Sequence, residues 1–428
     1  MTAAKGHDGR ASSAPGMGRR WIIFGVSTAL FVLSQFYRVT IAVISPELMA
    51  ELALDTRQLS LITSAFFYAF ALAQIPIGLS LDRVGARYTM TLLSLVAVAG
   101  AVTFAGGHSA KTLIVARMLL GIGMACNLMG TFKLLTLWFS PRQFATLTTL
   151  VFSIGTLGNI AATTPLVLLV QAIGWRSAFL VFAATNLGLA VVFFWIVRDR
   201  PPISSGSAGA GKRPGYRDVF AGFGRLLRMR DYWIISLATF CHYGIWASIQ
   251  ALWAGPYLMN RMGLSAVAAG NFIFLMNVGF VLGGPFWGVL SDNWLHTRKG
   301  VVLVGIAGMA VLLAVMAVLP EGSGWAALTA LFLSFGLSRS AGGIMYAHIK
   351  ERMPIETAGT AMTGINFFTM IGAAVFLQTM GSLMQHWYPE AALGAASFRT
   401  VYLLCCGCLA VVFFLYLWTK ETNPSASR

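Results

Sequence analysis

Two arginines lie inside stretches that are otherwise apolar enough to cross a membrane. Arg38 stands in "SQFYRVTIAVISPEL" (34–48) and Arg339 in "FLSFGLSRSAGGIMY" (332–346). A cation left within a span costs about 2.5–3.5 kcal/mol on insertion scales, so it normally faces a cavity or a partner. The planar guanidinium offers a fork of N–H donors that matches a carboxylate or a phosphate. Two such groups in one cavity predict an anion site.

Each basic residue also has a plainer interpretation. Arg38 falls in the outer half of its span and could extend its side chain to the outer surface. Arg339 could instead bond helix-end carbonyls, because small residues around it allow close helix approach. Lys133 lies near the end of its span, where extension to the surface is favoured, yet it stays in the candidate set.

The acidic residues are absent from the middle of every span. All 14 Asp and Glu residues fall in loops, tails or span ends. A proton relay needs a titratable group inside the path, and only His242 is well placed; a lone histidine there is also compatible with a hydrogen-bonded core residue. The sequence therefore favours anion exchange or facilitated passage over proton symport.

Polar and aromatic side chains in neighbouring spans extend the candidate site. Each of them is also compatible with a helix–helix contact. Gln250 and Trp253 are favoured because Pro256 follows them, and a proline frees backbone groups within a span. The predicted substrate-binding set is Arg38, Arg339, Tyr37, Gln250, Trp253, Lys133, His242 and Tyr346.

Composition places these residues in a polytopic membrane protein. Hydrophobic residues make up 57% of the 428 residues and charged residues 10%, against roughly 25% charged in a soluble domain. The net charge of +16 comes from basic residues scattered between apolar runs, which excludes nucleic acid as a partner. The five cysteines lie in apolar segments, and no nucleophile–base pair, metal motif or phosphate loop occurs. We expect no enzyme activity, no cofactor and no resident metal.

Twelve apolar runs are long enough to cross a bilayer, which predicts an all-α fold of twelve transmembrane helices. The runs lie near 20–45, 58–81, 88–106, 112–139, 144–170, 175–197, 232–257, 265–290, 300–319, 324–349, 357–385 and 398–419. Predicted domains are a tail (1–19), a six-helix bundle (20–197), a linker loop (198–231), a second bundle (232–419) and a tail (420–428). The end of the linker, 216–231, could form an amphipathic surface helix.

The loop charges predict the orientation of the chain. Most of the 30 Lys and Arg residues fall in the tails, the linker and the loops on the same side. The opposite loops hold only Arg57, Lys111, Arg176, Arg261 and Arg399. Because basic residues are enriched in cytoplasmic loops, both termini are predicted to be cytoplasmic.

The two halves of the chain contain matching short segments. "GLSLD" (78–82) matches "GVLSD" (288–292), and Pro46 after the first span matches Pro256 after the seventh. Both pairs share one offset along the chain. Tandem halves of six spans facing a central cavity are the architecture this predicts.

Three motifs, in order, resemble those of the major facilitator superfamily. "GLSLDRVGAR" fits the family's loop signature after the second span, "RMLLGIG" its fourth-span pattern, and "GWRSAF" its entry to the sixth span. The resemblance implies a gating or structural role for Gly78, Asp82, Arg83, Gly85, Arg87, Arg117, Gly121 and Asp292. Gly78 would let spans two and eleven pack closely, while Asn293 stands where the second copy would carry the arginine.

Within the superfamily, the first half resembles the organic-anion and sugar-phosphate permease branches. That likeness implies that Arg38 contacts the anion. We therefore expect a secondary active or facilitative transporter of a small anionic solute, an organic anion or organophosphate, working by alternating access. It would be a monomer in the lipid bilayer of the bacterial inner membrane or of an internal membrane derived from it. The alternative is an iron or iron-chelate transporter of a specialised membrane such as the magnetosome membrane.

Overall fold

A computed structural model describes residues 17–199, 226–352 and 355–422. At 17, 75, 79, 82, 141, 142, 145, 146, 293 and 355–363 it describes the backbone but not the side chain. Most of the predicted linker and its surface helix, the outer parts of both tails, and the side chains of Asp82 and Asn293 therefore lie outside the described residues.

The first half is a run of eight helices that make six crossings. Apolar segments become helices in lipid because every backbone N–H and C=O must then be bonded within the segment. The helices are α1 (Met17–Val39), α2 (Ile41–Leu52), α3 (Thr56–Arg83), α4 (Ala86–Ala105), α5 (Ala110–Met124), α6 (Asn127–Trp138), α7 (Pro141–Ala161) and α8 (Thr164–Ile196).

The second half repeats the pattern with more interruptions. Its helices are α9 (Arg230–Ser248), α10 (Ala266–Val289), α11 (Arg298–Val318), α12 (Trp325–Ser340), α13 (Ile344–Arg352), α14 (Ile355–Trp387) and α15 (Ala395–Tyr416). π-Helical segments Ile249–Trp253 and Tyr257–Arg261 flank the α-turn Ala254–Pro256, a third π segment is Leu290–Trp294, and Ala341–Gly343 is a 3₁₀ turn.

The prediction of twelve crossings is confirmed. Among the described residues, nine helical stretches are long and apolar enough to cross a membrane. The other three crossings are α3, α7 with the start of α8, and the run from α9 to Arg261. Gly174, with φ 76° and ψ 156°, kinks α8 between the fifth and sixth crossings, and only glycine adopts such a conformation readily.

Polar side chains from neighbouring helices satisfy the backbone where the fourth crossing breaks. The break between α5 and α6 frees carbonyls at Met124 and Ala125, in a region without water. Ser34 Oγ donates to the Met124 carbonyl at 3.2 Å, and Gln74 Nε2 to that of Ala125 at 3.2 Å. The break is therefore held by α1 and α3.

Each half begins and ends on the same side of the membrane, and this side is the same for both halves. We call the side on which the described chain begins and ends the terminal face, and the opposite side the far face. On the terminal face Arg19 donates to the Ile196 carbonyl at 2.7 Å, and Lys299 Nζ to that of Thr419 at 3.0 Å. On the far face, Pro46 of the first half shares a cleft with Pro256 of the second. The halves meet chiefly where α3 packs along α14 and where α2 meets the interrupted seventh crossing.

Candidate functional site

Arg38 lies at the junction of α1 and α2, deep between the halves. Its side chain is buried, with 9% of the residue exposed. The guanidinium carbon lies 4.5 Å from the ring centre of Phe70 on α3, and the group lies near Tyr243 on α9. Nε has no hydrogen-bond partner among the described residues. Arg38 therefore faces the second half and keeps a free donor.

Arg339 approaches the same place from the last turn of α12. Its guanidinium carbon lies 5.0 Å from the ring centre of Tyr243 and 5.9 Å from that of Phe280. Nε again has no partner in the described part of the chain. A side chain at Gly342 would lie 2.7 Å from His242 Nδ1 and closer still to the Arg339 guanidinium. The glycine of the 3₁₀ turn therefore makes room for the arginine.

Two tyrosines connect the arginines across the interface between the halves. The Arg339 guanidinium lies over the Tyr243 ring, and both guanidinium groups lie within electrostatic range of Tyr243 and of Tyr346 on α13. The Tyr346 hydroxyl also lies 3.1 Å from that of Thr369 on α14. Arg38 from the first half and Arg339 from the second thus belong to one cluster, which we call the two-arginine cluster.

No carboxylate neutralises the two-arginine cluster among the described side chains. The ion pairs described in the chain lie at the two faces: Glu51 with Arg176 on the far face, and Asp292–Arg298, Glu351–Arg298 and Asp231–Arg352 on the terminal face. Buried cations without partners are costly. A negative charge beside the cluster would therefore stabilise it, and an anionic solute would supply that charge.

His242 borders the cluster from α9. It is buried, lies beside Arg339, and its Nε2 has no partner among the described residues. Gln250 and Trp253, about two and three turns further toward the far face, are buried in the π-helical segment. Gln250 Nε2 donates to Asn277 Oδ1 at 2.6 Å, while Trp253 Nε1 is unbonded in the described structure.

Tyr37 points away from its neighbour Arg38 into the core of the first half. Its ring lies 6.3 Å from that of Phe179, and its carbonyl accepts from Arg117 NH1 at 2.6 Å. Arg117 is fully buried, with its guanidinium carbon 4.8 Å from the Phe66 ring centre. The predicted contact of Tyr37 with substrate stays a prediction that the geometry does not favour.

Lys133 lies on α6, toward the terminal face. Its ammonium group donates to the Leu81 carbonyl at the end of α3. Leu81 lies within the loop motif, so this contact ties the fourth crossing to the second. The structure therefore does not join Lys133 to the two-arginine cluster.

The far face is closed over the cluster by contacts between the halves. A side chain at Gly255 would lie 2.7 Å from the Ala42 carbonyl carbon, so the two backbones touch. Thr164 Oγ1 donates to Asn271 Oδ1 at 2.6 Å, and nearer the middle Tyr68 donates to Gln378 at 2.9 Å. These contacts separate the cluster from the far face.

Two glycines on the terminal face have no close described neighbour. A side chain at Gly78 would meet no described atom within 4 Å, and the same holds for Gly288, its counterpart in the second half. The side chains at the start of α14 (355–363) lie outside the described residues. The close packing of spans two and eleven at Gly78 therefore stays a prediction.

The loop motif has a structural explanation in a residue outside it. Asp199, just after α8, accepts from the backbone amides of Ala86 at 2.8 Å and Arg87 at 3.0 Å. Gly85 adopts φ 98°, and a side chain there would lie 2.8 Å from the Asp199 carboxyl carbon. Arg87 Nε donates to the Phe194 carbonyl at 2.9 Å. The motif thus fastens the third crossing to the sixth; Arg83 lies at the end of α3.

The second half carries an equivalent carboxylate. Glu421, just after α15, accepts from the amides of Arg298 at 2.9 Å and Lys299 at 3.1 Å, and from the Thr297 hydroxyl at 2.6 Å. Burial acts to raise the pKa of Glu421, but these bonds outweigh it and hold the pKa below its usual 4.5. Asp292 pairs with Arg298, which also bonds Glu351 at 3.0 Å. The half-repeat therefore extends to these two carboxylates, which we call the closing carboxylates.

Gly121 explains the fourth-span motif in similar terms. A side chain there would lie 3.0 Å from the Phe66 carbonyl carbon and closer to its oxygen. This close approach of α5 to α3 places Phe66 beside Arg117. The arrangement is structural, and a gating role for Arg117 and Gly121 stays a prediction.

Tyr243 belonged only to the wider group of polar and aromatic residues predicted around the site, and Asp199 and Glu421 belonged to no predicted site or motif set. Tyr243 directly follows His242 in "FCHYG", and two adjacent polar residues in an apolar span indicate a surface other than lipid. The closing carboxylates bond residues more than a hundred positions away, so nothing local to them in the sequence indicates their partners.

The chain matches a known family over most of its length. Residues 17–377 match the family described as the Major Facilitator Superfamily. Among solved structures it is similar to a bacterial homolog of the human lysosomal transporter Spinster in an inward-facing, unoccupied conformation. The TM-score is 0.75 at 17% identity, covering 94% of this chain and 96% of that one. It is also similar to a D-xylose-proton symporter, with a TM-score of 0.71 at 14% identity, covering 91% and 97%.

Curated relatives are bacterial transporters. A probable sulfoacetate transporter of Cupriavidus necator is 29% identical, with 94% of this chain and 95% of that protein covered. A probable galactarate/D-glucarate transporter of Escherichia coli K12 is 22% identical, with 93% of each covered. The hexuronate transporter of the same strain is 27% identical over 67% of this chain and 70% of that protein.

The alternative of iron or magnetosome-associated transport has no support. The relatives named above are not iron transporters by their descriptions. In the described part of the chain, no three His, Cys, Asp or Glu side chains are grouped so that they could hold a metal ion. The two-arginine cluster would repel a bare cation.

Proposed function

The chain belongs to the major facilitator superfamily, and we propose that it carries a small organic anion by alternating access. It is a multi-pass membrane transporter and not an enzyme. The observation that carries the proposal is the meeting of Arg38 and Arg339, one from each half, with no described carboxylate between them. The names of the relatives, sulfoacetate, galactarate/D-glucarate and hexuronate transporters, support it, because all these solutes are anions at neutral pH.

Alternating access follows from the position of the cluster between the halves. Transporters of this kind hold the solute near the middle of the membrane and rock one half against the other around it. Here contacts at Gly255 and Thr164 close the far face. Rocking would separate these far-face contacts and bring the helices together on the terminal face. The anion would then be released on the opposite side.

Exchange or facilitated passage is the proposed mode of transport. Proton symport would need a titratable group on the solute path. The titratable group nearest the described cluster is His242, and the positive charge of Arg339 beside it opposes a second positive charge there. An unneutralised cationic site also favours exchange, because returning empty leaves two cations without partners in a low-dielectric site.

In this proposal Arg38 and Arg339 bind the anion, and Tyr346 and His242 line the same place. Gln250 and Trp253 lie on the path toward the far face. The setting is the bacterial inner membrane, with both termini in the cytoplasm, as the distribution of basic residues favours. The protein would act as a monomer.

Counterflow in proteoliposomes tests the proposal. Purified protein is reconstituted into liposomes with or without internal unlabelled sulfoacetate or glucarate, and uptake of the labelled anion is measured with no pH gradient. We expect uptake that is accelerated by internal anion and largely lost in Arg38→Gln and Arg339→Gln. Arg399→Gln, an exposed arginine at the start of α15, is the matched control. Equal uptake of uncharged sugars, or full activity of both variants, would overturn the anion carrier.

A further inference from the structure

A group of basic and aromatic side chains is exposed on the terminal face, where the seventh crossing begins and the twelfth ends. The guanidinium carbon of Arg230, the first residue of α9, lies 5.2 Å from the ring centre of Trp418, just after α15. Tyr243, beside the two-arginine cluster, lies about 20 Å further along α9, so this group is a separate place. We call it the terminal-face patch, and its exposed members are Arg228, Arg230, Trp233, Trp418 and Lys420.

The positive charges of the terminal-face patch have no described counter-charge. Asp231 follows Arg230 in the chain but pairs with Arg352 at 2.7 Å. Glu421 follows Lys420 but accepts from a hydroxyl and two backbone amides at the start of α11. The ion pairs of the described residues leave out all three cations of the patch, Arg228, Arg230 and Lys420. An anion could therefore approach them without displacing a partner.

Trp418 is presented by a turn whose backbone is held from two sides. His348 on α13 donates from Nε2 to the Lys420 carbonyl at 2.9 Å, and its Nδ1 lies 2.6 Å from the Tyr416 hydroxyl. Lys299 Nζ donates to the carbonyl of the intervening Thr419 at 3.0 Å. The backbone groups of this turn are therefore bonded inward while the indole points outward. Such a preorganised ring loses little conformational entropy when a ligand binds.

Exposed apolar side chains continue from the patch along both helices. Phe414 and Val411 extend the surface of Trp418 along α15, and Leu237 extends that of Trp233 along α9. Trp233 Nε1 donates to the Leu227 carbonyl at 2.8 Å, which holds the turn before α9 against the helix. Tryptophans are enriched at the level of the lipid headgroups, and apolar surface below them contacts acyl chains. A ligand that fits has an anionic head and an apolar tail.

From this arrangement we propose that the terminal-face patch binds an anionic phospholipid, with the phosphate beside Arg230 and the acyl chains along α9 and α15. The Trp418 ring lies near the Arg230 guanidinium, and a guanidinium held over a ring keeps its in-plane N–H donors available for a phosphate. Arg228 and Lys420 add charge at the same height. Anionic lipids are concentrated in the cytoplasmic leaflet, which is the leaflet at the terminal face if both termini are cytoplasmic. The inference goes beyond the proposed function and does not depend on which solute is carried.

A lipid bound at the patch would join three crossings of the second half. Asp231, next to Arg230, already ties the start of the seventh crossing to Arg352 at the end of the tenth. A headgroup between Arg230 and Trp418 adds the end of the twelfth. Because a ligand that binds only the folded chain stabilises it, the lipid should raise the unfolding temperature of the protein.

Native mass spectrometry of the purified protein in a neutral detergent tests this inference. Phosphatidylglycerol, which is anionic, and phosphatidylcholine, which has no net charge, are titrated into wild type, Arg230→Gln, Arg230→Lys and Trp418→Leu. Two far-face substitutions are the matched controls. Arg399→Gln removes an exposed arginine at the other end of α15, and Trp325→Leu removes a tryptophan that is 60% exposed, against 61% for Trp418. Thermal unfolding without lipid first establishes that each variant is folded, as expected for exposed side chains.

We expect wild type to bind phosphatidylglycerol more tightly than phosphatidylcholine. Arg230→Gln should weaken phosphatidylglycerol binding about 5-fold, the effect of one basic residue at an anionic lipid surface. Arg230→Lys keeps the charge and should retain most of the binding. Trp418→Leu removes the ring beneath the guanidinium and should weaken binding about 2- to 5-fold. Both far-face controls should bind as wild type does.

Three results would overturn the inference. The first is equal affinity for the two lipids, or equal phosphatidylglycerol binding by wild type and Arg230→Gln. The second is an equal loss in Arg399→Gln, which would show that the lipid responds to total charge and not to the patch. The third comes from inorganic phosphate added in place of lipid: if it raises the unfolding temperature of wild type but not of Arg230→Gln, a soluble anion and not a phospholipid occupies the patch.

Discussion

Gly255 offers the sharpest test of how the far face is closed. Its backbone touches that of Ala42 across the interface between the halves, so a methyl group there would lie 2.7 Å from the Ala42 carbonyl carbon and nearer to its oxygen. Carbon atoms in ordinary contact are about 3.5–4 Å apart. The obstructing atoms are backbone, which cannot turn away as a long side chain can. Gly255→Ala therefore opposes closure of the far face itself.

The size of the effect follows from the cost of overpacking. Adding a methyl group to a close-packed contact costs about 1–3 kcal/mol. Here the cost falls on the conformation with the far face closed and is absent once the halves separate. The equilibrium should therefore shift toward the far-open conformation by about 5- to 150-fold.

Cysteine labelling from the far face measures this shift. Ser45, on α2 beside Pro46 and Pro256, is 1% exposed, and a cysteine there is close in size. In Ser45→Cys, adding Gly255→Ala should raise the labelling rate by a membrane-impermeant maleimide by at least about 5-fold, the low end of that shift. The control is Gly188→Ala on α8, where a side chain meets no described atom within 4 Å. An unchanged rate in a folded double variant would refute the assignment of this contact as the far-face closure.

Three further changes test the cluster and the closing carboxylates. Tyr243→Phe removes a hydroxyl near Arg38 and should weaken anion binding about 2- to 12-fold in a solute titration. Glu421→Gln should lower stability at neutral pH by about 0.5 kcal/mol, a small value because the carboxylate is exposed. Since the Glu421 pKa lies below 4.5 in the folded chain, its contribution is present above about pH 4.5 and lost as the pH falls further; thermal unfolding across pH shows this. Gly85→Ala imposes φ 98° on alanine beside Asp199 and should cost about 1–3 kcal/mol in the same assay.

Each of these three substitutions has a control and a result that would contradict the prediction. Tyr388→Phe removes a tyrosine hydroxyl on the far face and should leave anion binding unchanged; an equal effect at both tyrosines would contradict a specific role for Tyr243. If the difference between wild type and Glu421→Gln persists below pH 3, the carboxylate charge is not its cause. Gly188→Ala is the matched glycine for Gly85→Ala, and equal unfolding temperatures would rule out backbone strain at Gly85.

The fold was predictable from the sequence because lipid imposes few solutions on an apolar chain. Twelve apolar runs with a half-repeat determine the number of crossings, and the structure has them. The interruptions were not predictable in this way. Pro256 indicates where the seventh crossing is interrupted. The π-helical hydrogen bonding of Ile249–Trp253 and Tyr257–Arg261, on either side of it, has no such signal in the sequence.

The cluster was only partly predictable. Arg38 and Arg339 stand out because a charge in an apolar run has few explanations, and the structure brings them together at Tyr243. Tyr37 and Lys133 have the right chemistry but point elsewhere, toward Phe179 and the Leu81 carbonyl. A helix's rotation about its own axis decides such cases, and in a span that is apolar on all sides the sequence pattern leaves that rotation undetermined.

The closing carboxylates affect how far each half of the protein depends on its covalent connection to the other half. Asp199 and Glu421 each hold the end of the last crossing of a half against the start of the third crossing of that same half. Each half is therefore fastened by a carboxylate of its own, and this contact does not depend on the covalent connection to the other half. The covalent connection keeps the two halves at high local concentration. Two separately synthesised halves are therefore expected to associate through the contact of α3 with α14 and that of α2 with the seventh crossing, as the subunits of a dimer do.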